Sequence, residues 1–184
     1  MPILRRIKIE MAEEEIKNRV AESSLLQISP EDWYDTRPRL GFDIADYLFA
    51  GLVLKELDFR AAMKAHDWTQ YSNAQLCIFC SADAIVPTWA YMLVSIQASP
   101  FAAGIHFMKP EDLDAFLFDR KIQCLDLSEF EGKKVIVKGC SKHPVPVSAY
   151  VSLAERLRPV VQSLMYGEPC SNVPLFKRKK PSQD

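Results

Sequence analysis

The sequence predicts an α/β fold: a mostly parallel sheet of about five strands with flanking helices, built from a duplicated β-loop-α unit. Three observations predict it. Short apolar runs of strand length alternate with longer helical segments along the chain. Prolines stand where those helices should open and close. One stretch of chain also repeats itself. Asp67-Trp68-Thr69-Gln70-Tyr71 resembles Asp126-Leu127-Ser128-Glu129-Phe130. An apolar run follows each, then Cys-Ser, then Val-Pro-x-x-Ala-Tyr (Val86 to Tyr91, Val145 to Tyr150), then Pro100 or Pro159. The copies are offset by 59 residues at Val86 and Val145 and by 60 at Cys80 and Cys140, so one loop residue differs. A repeat changes the reading of every element inside it, so it comes first.

The elements follow in order. Residues 1–10 read as an extension ahead of a natural start at Met11, 11–176 as one α/β domain, and 177–184 as a basic flexible tail. Residues 29–41 are polar and carry proline, which reads as a connection. Residues 49–54 form an apolar run and are expected as the first strand, with a helix over 58–65 behind it. Residues 76–79 spell Leu-Cys-Ile-Phe, a buried strand. Val86-Pro87 then opens a helix over 88–99, because the fixed φ and missing N–H of proline suit a first turn. A strand over 104–108 follows Pro100. Pro110-Glu111-Asp112 puts proline and acids in the first turn of a helix over 110–122. The second copy supplies a strand over 135–137, a helix over 147–158 and a strand over 163–166.

Composition bounds the function. The 184 residues are 48% hydrophobic and 26% charged, the balance of an ordinary globular domain with a sizeable core. A net charge of −1 gives no reason to expect nucleic acid as partner. The apolar runs are too short to span a bilayer, and Arg5, Arg6 and Lys8 break the only N-terminal run that could act as a secretory signal. The expected compartment is cytoplasmic. Five cysteines without the spacing of a disulfide framework are expected as reduced thiols or metal ligands.

Three of those cysteines share a phrase: Cys80-Ser81 before Val86-Pro87, Cys140-Ser141 before Val145-Pro146, and Cys170-Ser171 before Val173-Pro174. Each follows an expected strand. In open α/β sheets ligands bind beyond the carboxyl ends of the strands, so the three thiols could converge there. Thiolate sulfur is a soft donor suited to zinc or an iron–sulfur cluster. His143 and Asp83 each lie three residues past a cysteine and are the candidates for a fourth ligand or its support. Cys77-Ile78-Phe79-Cys80 matches C-x-x-C, but residues three apart in a strand point to opposite faces, so Cys77 is expected in the core. A second chemistry makes Cys140 a nucleophile at a helix N-terminus with His143 as base. The alternative from another class is a cofactor-free protein-interaction module whose Cys-Ser loops only shape a surface.

The stretches Cys80 to Leu93, Lys138-Gly-Cys-Ser-Lys-His-Pro-Val-Pro146 and Met165-Tyr-Gly-Glu-Pro-Cys-Ser-Asn-Val-Pro-Leu175 together resemble an uncharacterised bacterial family, domain of unknown function 2480. The likeness runs from about Met11 to Lys177, and the ten residues before Met11 depart from it. That family has no established activity to carry over. The resemblance implies an accessory role in iron–sulfur cluster assembly, with assembly proteins as partners. The expected function is therefore a thiolate-ligated metal or iron–sulfur protein using Cys80, Cys140 and Cys170, with His143 or Asp83 assisting.

Overall fold

A computed structural model describes residues 25–139 and 142–179. The expected start at Met11, the extension before it and the end of the tail lie outside the described residues, as does Cys140. The fold is mixed α/β, with seven strands and four α-helices among the described residues. In chain order these are β1 (Leu25–Ile28), β2 (Arg39–Asp43), α1 (Glu56–Ala65), β3 (Gln75–Phe79), α2 (Thr88–Ala98) and β4 (Gly104–Phe107). There follow α3 (Leu113–Gln123), β5 (Lys134–Val137), α4 (Val147–Leu157), β6 (Ser163–Glu168) and β7 (Ser171–Lys177).

The expected single sheet is in fact two. One has the order β2-β3-β4 and is parallel throughout; the other has the order β1-β5-β6-β7, with β7 antiparallel on β6. The reason is one of pairing. After β4 the chain runs through α3, and β5 then pairs with β1 from the start of the domain instead of extending the first sheet. An alternating β/α pattern is the same in both cases, because periodicity identifies a strand and not its neighbour.

Two further expectations change. Residues 49–54 are not a strand. Ala50 and Gly51 take φ values of 52° and 70°, and the chain turns back on itself through a single Phe49–Val53 bridge. The segment 29–41 is not all connection, since β2 begins inside it at Arg39. The helices and the other four expected strands stand within two residues of their expected bounds at most positions.

The two sheets share a register. Arg39 pairs with Gln75 and Gln75 with Gly104; Leu25 pairs with Lys134 and Lys134 with Ser163. Gln75 and Lys134 are 59 residues apart, as are Gly104 and Ser163. Each sheet has its own core. Phe59, Met63, Leu76, Ile78, Val94 and Ala98 pack with α1 and α2, whereas Phe118, Ile122, Val135, Val137, Leu153 and Leu157 pack with α3 and α4.

Helix α3 joins the two halves. Its Phe118 and Ile122 belong to the second core. Its Phe116 meets His106 of β4 edge to face at 5.4 Å, and its Asp114 accepts hydrogen bonds from the Arg39 guanidinium at 2.6 and 3.0 Å. The face of the first sheet turned toward α3 is polar and fully paired at its key position. Gln75 donates to Asp35 Oδ2 at 2.6 Å, and its carbonyl oxygen lies 2.8 Å from His106 Nε2. Asp35 is held in turn by Arg37 through a bidentate pair, Nε to Oδ1 and Nη2 to Oδ2. This pairing is what permits a buried glutamine and histidine in a sheet interior.

Candidate functional site

A groove opens on the other face of the first sheet. It holds about 560 Å³ between α2 and the strands β3 and β4. Pro87, whose φ of −61° suits a helix entry, caps the start of α2, and Ser99 caps its end ahead of Pro100. Ala90, Val94 and Ala98 recur every four residues and form the buried face. Met92 and Ile96, also four apart, form the face turned outward. Thr88, Tyr91, Met92, Ser95 and Ile96 supply the helix wall, and Ile78, Ile105, His106 and Phe107 the floor. Tyr91 and Phe107 fix the mouth as an edge-to-face pair with centroids 5.0 Å apart. Burial pushes the Tyr91 phenol up from its ordinary range, and the nearby Cys80 and Asp43 add to the shift.

What distinguishes this groove is its lack of charge. None of the eleven residues of α2 and none of the four in β4 is Asp, Glu, Lys or Arg. Yet Met92, Ile96 and Phe107 are 60%, 65% and 73% exposed. A contiguous apolar patch of this kind marks an interaction surface more often than a bare monomer surface. Sequence reasoning placed residues 88–99 in a helix and did not single out Met92, Ile96 or Phe107. The available signal was the uncharged run itself, in a helix long enough to need a solvated side.

The sequence-derived ligands lie elsewhere. Cys80 follows β3 and packs half-buried against the first core, its thiol directed at the Ala82 carbonyl 3.5 Å away. Asp83 is exposed in the same loop. Asp43, at the end of β2, accepts the Ser81 N–H at 3.0 Å and anchors that loop. His143 belongs to the second sheet's loop. Its ring stacks flat on Tyr34 at 4.6 Å, and the Arg39 guanidinium lies 4.7 Å from the centre of the same Tyr34 ring. The Lys142 N–H beside it donates to Glu31 at 2.6 Å.

Cys170 is exposed in the turn between β6 and β7. The structure therefore brings Cys80 and Asp83 together in one loop, and holds His143 and Cys170 on the other sheet. Cys140 lies outside the described residues. Among the described residues, no group of three or more His, Cys, Asp or Glu side chains could hold a metal ion. Cys77 is buried in β3 on the face opposite Cys80, as strand alternation requires, and burial pushes its thiol up to about 11, with Glu111 next in effect. Cys124 is exposed at the end of α3.

Among the described residues no helix is long and apolar enough to cross a membrane. A family profile described as "Protein of unknown function (DUF2480)" matches residues 14–178. No curated protein and no solved structure shows significant similarity to the chain.

Proposed function

We propose that this chain, which belongs to the DUF2480 family of proteins of unknown function, is a protein-interaction module that docks a protein partner in the groove between α2 and β4. The observation that carries this reading is the exposure of Met92, Ile96 and Phe107 around an uncharged groove. Burying apolar area at about 25 cal/mol per Å² drives association. Charge depletion at the centre of a patch is the compositional mark of an interface core. The test uses the dye 8-anilinonaphthalene-1-sulfonate. Its fluorescence should rise with the intact protein wherever the groove is free, and Met92→Lys should remove the rise. A protein that shows no rise and forms no assembly through this face would end the reading.

Thiolate ligation is the second reading, and the recurrence of Cys-Ser before Val-Pro is what favours it. Cys80, Cys140 and Cys170 would be the donors to zinc or an iron–sulfur cluster, with His143 or Asp83 assisting, and iron–sulfur assembly proteins would be the partners. Anaerobic purification decides it. Iron with acid-labile sulfide, or zinc, lost from a Cys80→Ser/Cys140→Ser/Cys170→Ser variant would support ligation; its absence from both proteins would end it.

The two sheets also support a common origin by duplication. Tyr150 and Tyr166 form an edge-to-face pair at 5.7 Å, and each lies 59 residues beyond Tyr91 and Phe107. The shared register of β2-β3-β4 and β1-β5-β6 supports the same reading.

A further inference from the structure

His66 is not among the residues that line the groove. It stands at the end of α1, where its backbone N–H closes the helix on the Ala62 carbonyl. Its half-buried ring lies between two phenols. Tyr47 Oη is 3.2 Å from Nδ1, and Tyr71 Oη is 3.2 Å from Nε2. Phe42 of β2 meets the ring edge to face at 5.3 Å, and Trp68 lies against it at 4.6 Å. A third polar group reaches Nε2, the Gln70 amide nitrogen, 3.0 Å away.

Gln70 decides which ring nitrogen carries the hydrogen. The same amide nitrogen donates to the Asp67 carbonyl at 2.7 Å. A backbone carbonyl only accepts, so the amide cannot be turned round, and what it presents to His66 is an N–H. Nε2 of the neutral ring is therefore the bare nitrogen, its lone pair shared by Gln70 and the Tyr71 hydroxyl. Nδ1 carries the hydrogen and donates to Tyr47 Oη.

Proton uptake reverses the Gln70 contact and spares the other two. An imidazolium donates from both nitrogens. A phenol oxygen can accept as well as donate, so Tyr47 and Tyr71 hold the charged ring where it stands. Gln70 then meets N–H with N–H. It cannot offer its carbonyl oxygen instead without turning that oxygen on the Asp67 carbonyl.

We propose that His66 and Gln70 form a proton-operated latch on the turn joining α1 to β3, closed while the imidazole is neutral and opened when the ring takes up a proton and expels the Gln70 amide. Opening is local. Gln70 is exposed, so its amide leaves into water. The Asp67 carbonyl loses its side-chain donor. The Asp67 carboxylate still accepts from Thr69 and goes on capping the short turn Trp68–Tyr71.

The groups around the ring keep the latch closed at neutral pH. Burial favours the neutral imidazole and outweighs Asp67, the adjacent acid, which favours the charged one. Burial also holds the Tyr47 and Tyr71 phenols above their ordinary value, so both stay protonated and bring no charge; Asp46 acts on Tyr47 in the same direction. Phe42 and Trp68 meet the ring without charge. Opening therefore belongs to the acid side of 6.5, the ordinary imidazole value.

The test is nitrogen NMR of the full chain labelled in its three histidines, with the Gln70 side-chain amide followed in parallel. A His66→Asn spectrum identifies the signals of this ring. At pH 8 Nδ1 of His66 should appear protonated and Nε2 bare. As the pH is lowered the ring should titrate within the folded protein, and the Gln70 amide should move to its free-solution position in the same step. Gln70→Glu should raise the proton affinity of His66 about tenfold, because a carboxylate accepts from the Nε2–H. Gln70→Ala should also raise it, by removing the opposed donor. Both variants change an exposed side chain and should keep the wild-type far-UV circular dichroism. A neutral ring protonated at Nε2 would overturn the proposal. So would a titration left unmoved by Gln70→Glu, or a ring that takes up its proton only as the whole protein unfolds.

Discussion

At the residue scale the chemistry of the chain is concentrated at the polar junction behind the first sheet. Gly104 is required there by space. A Cβ built on it would collide with the Gln75 amide and the His106 ring, which are already hydrogen-bonded to each other. Gly104→Ala should separate that buried pair and lower stability by about 1–3 kcal/mol, the cost of unsatisfied buried polar groups; urea unfolding measures it. The same residues set a pH dependence. Burial lowers the pKa of His106, with Arg120 adding to the effect, and burial also lowers that of His66. Above the ordinary imidazole value of 6.5 both states are neutral and nothing is lost. Below it the unfolded chain takes up protons first, so stability should fall from pH 7 to pH 5. The Arg37 guanidinium beside Asp35 holds that carboxyl well below the usual carboxylate range, so its contribution is present above about pH 4 and fades as the pH drops further. Unfolding free energies across pH 3 to 8 would show both slopes. A flat profile between pH 7 and 5 would contradict the assignment of neutral folded-state imidazoles to buried His106 and half-buried His66.

At the scale of elements, the helices and buried strands were legible because their side chains report their own environment. Leu76 to Phe79 and Val135 to Val137 are apolar because both faces of these strands are covered. Pro87 and Pro146 mark helix entries by their covalent geometry alone. The misread elements failed for definite reasons. Residues 49–54 have strand composition, but Ala50 and Gly51 adopt positive φ and fold the segment back. Ala50 there is held in a conformation that costs an L-residue roughly 1–2 kcal/mol, offset in part by the greater chain entropy of glycine. Ala50→Gly should therefore raise the melting temperature slightly, and a fall on thermal denaturation would count against the turn. β2 was hidden because Arg39 and Asp43, which begin and end it, are charged, and their partners Asp114 and Ser81 lie far along the chain. β7 was hidden because it is an exposed edge strand containing Pro174, for which sequence patterning is weakest.

At the scale of the whole molecule, one helix of the second core, α3, also touches the back of the first sheet. Phe118 is buried in the second core, two positions past Phe116, which meets His106 on the back of the first sheet. Phe118→Ala should remove about 3–5 kcal/mol. Because α3 ties the halves, the loss should appear as one transition shifted to lower denaturant. The probe is fluorescence from Trp33, beside the second core, and from Trp68 and Trp89 in and beside the first. Two separated transitions would mean that the halves unfold independently.

The sequence by itself determined the α/β class, the entry points of α2 and α4, the burial of Cys77 and the family, because each depends on local covalent geometry, on apolar spacing or on motifs carried in contiguous residues. Only the tertiary structure decided that β5 pairs with β1 and not with β4, and hence that there are two sheets. A strand's sequence encodes which of its faces are buried, whereas its partner is set by the whole chain's competition for edges. The same choice left β4 at the end of its sheet among the described residues. The missing charge was written in residues 88–98 from the start. It became a surface only when the fold left Met92, Ile96 and Phe107 exposed.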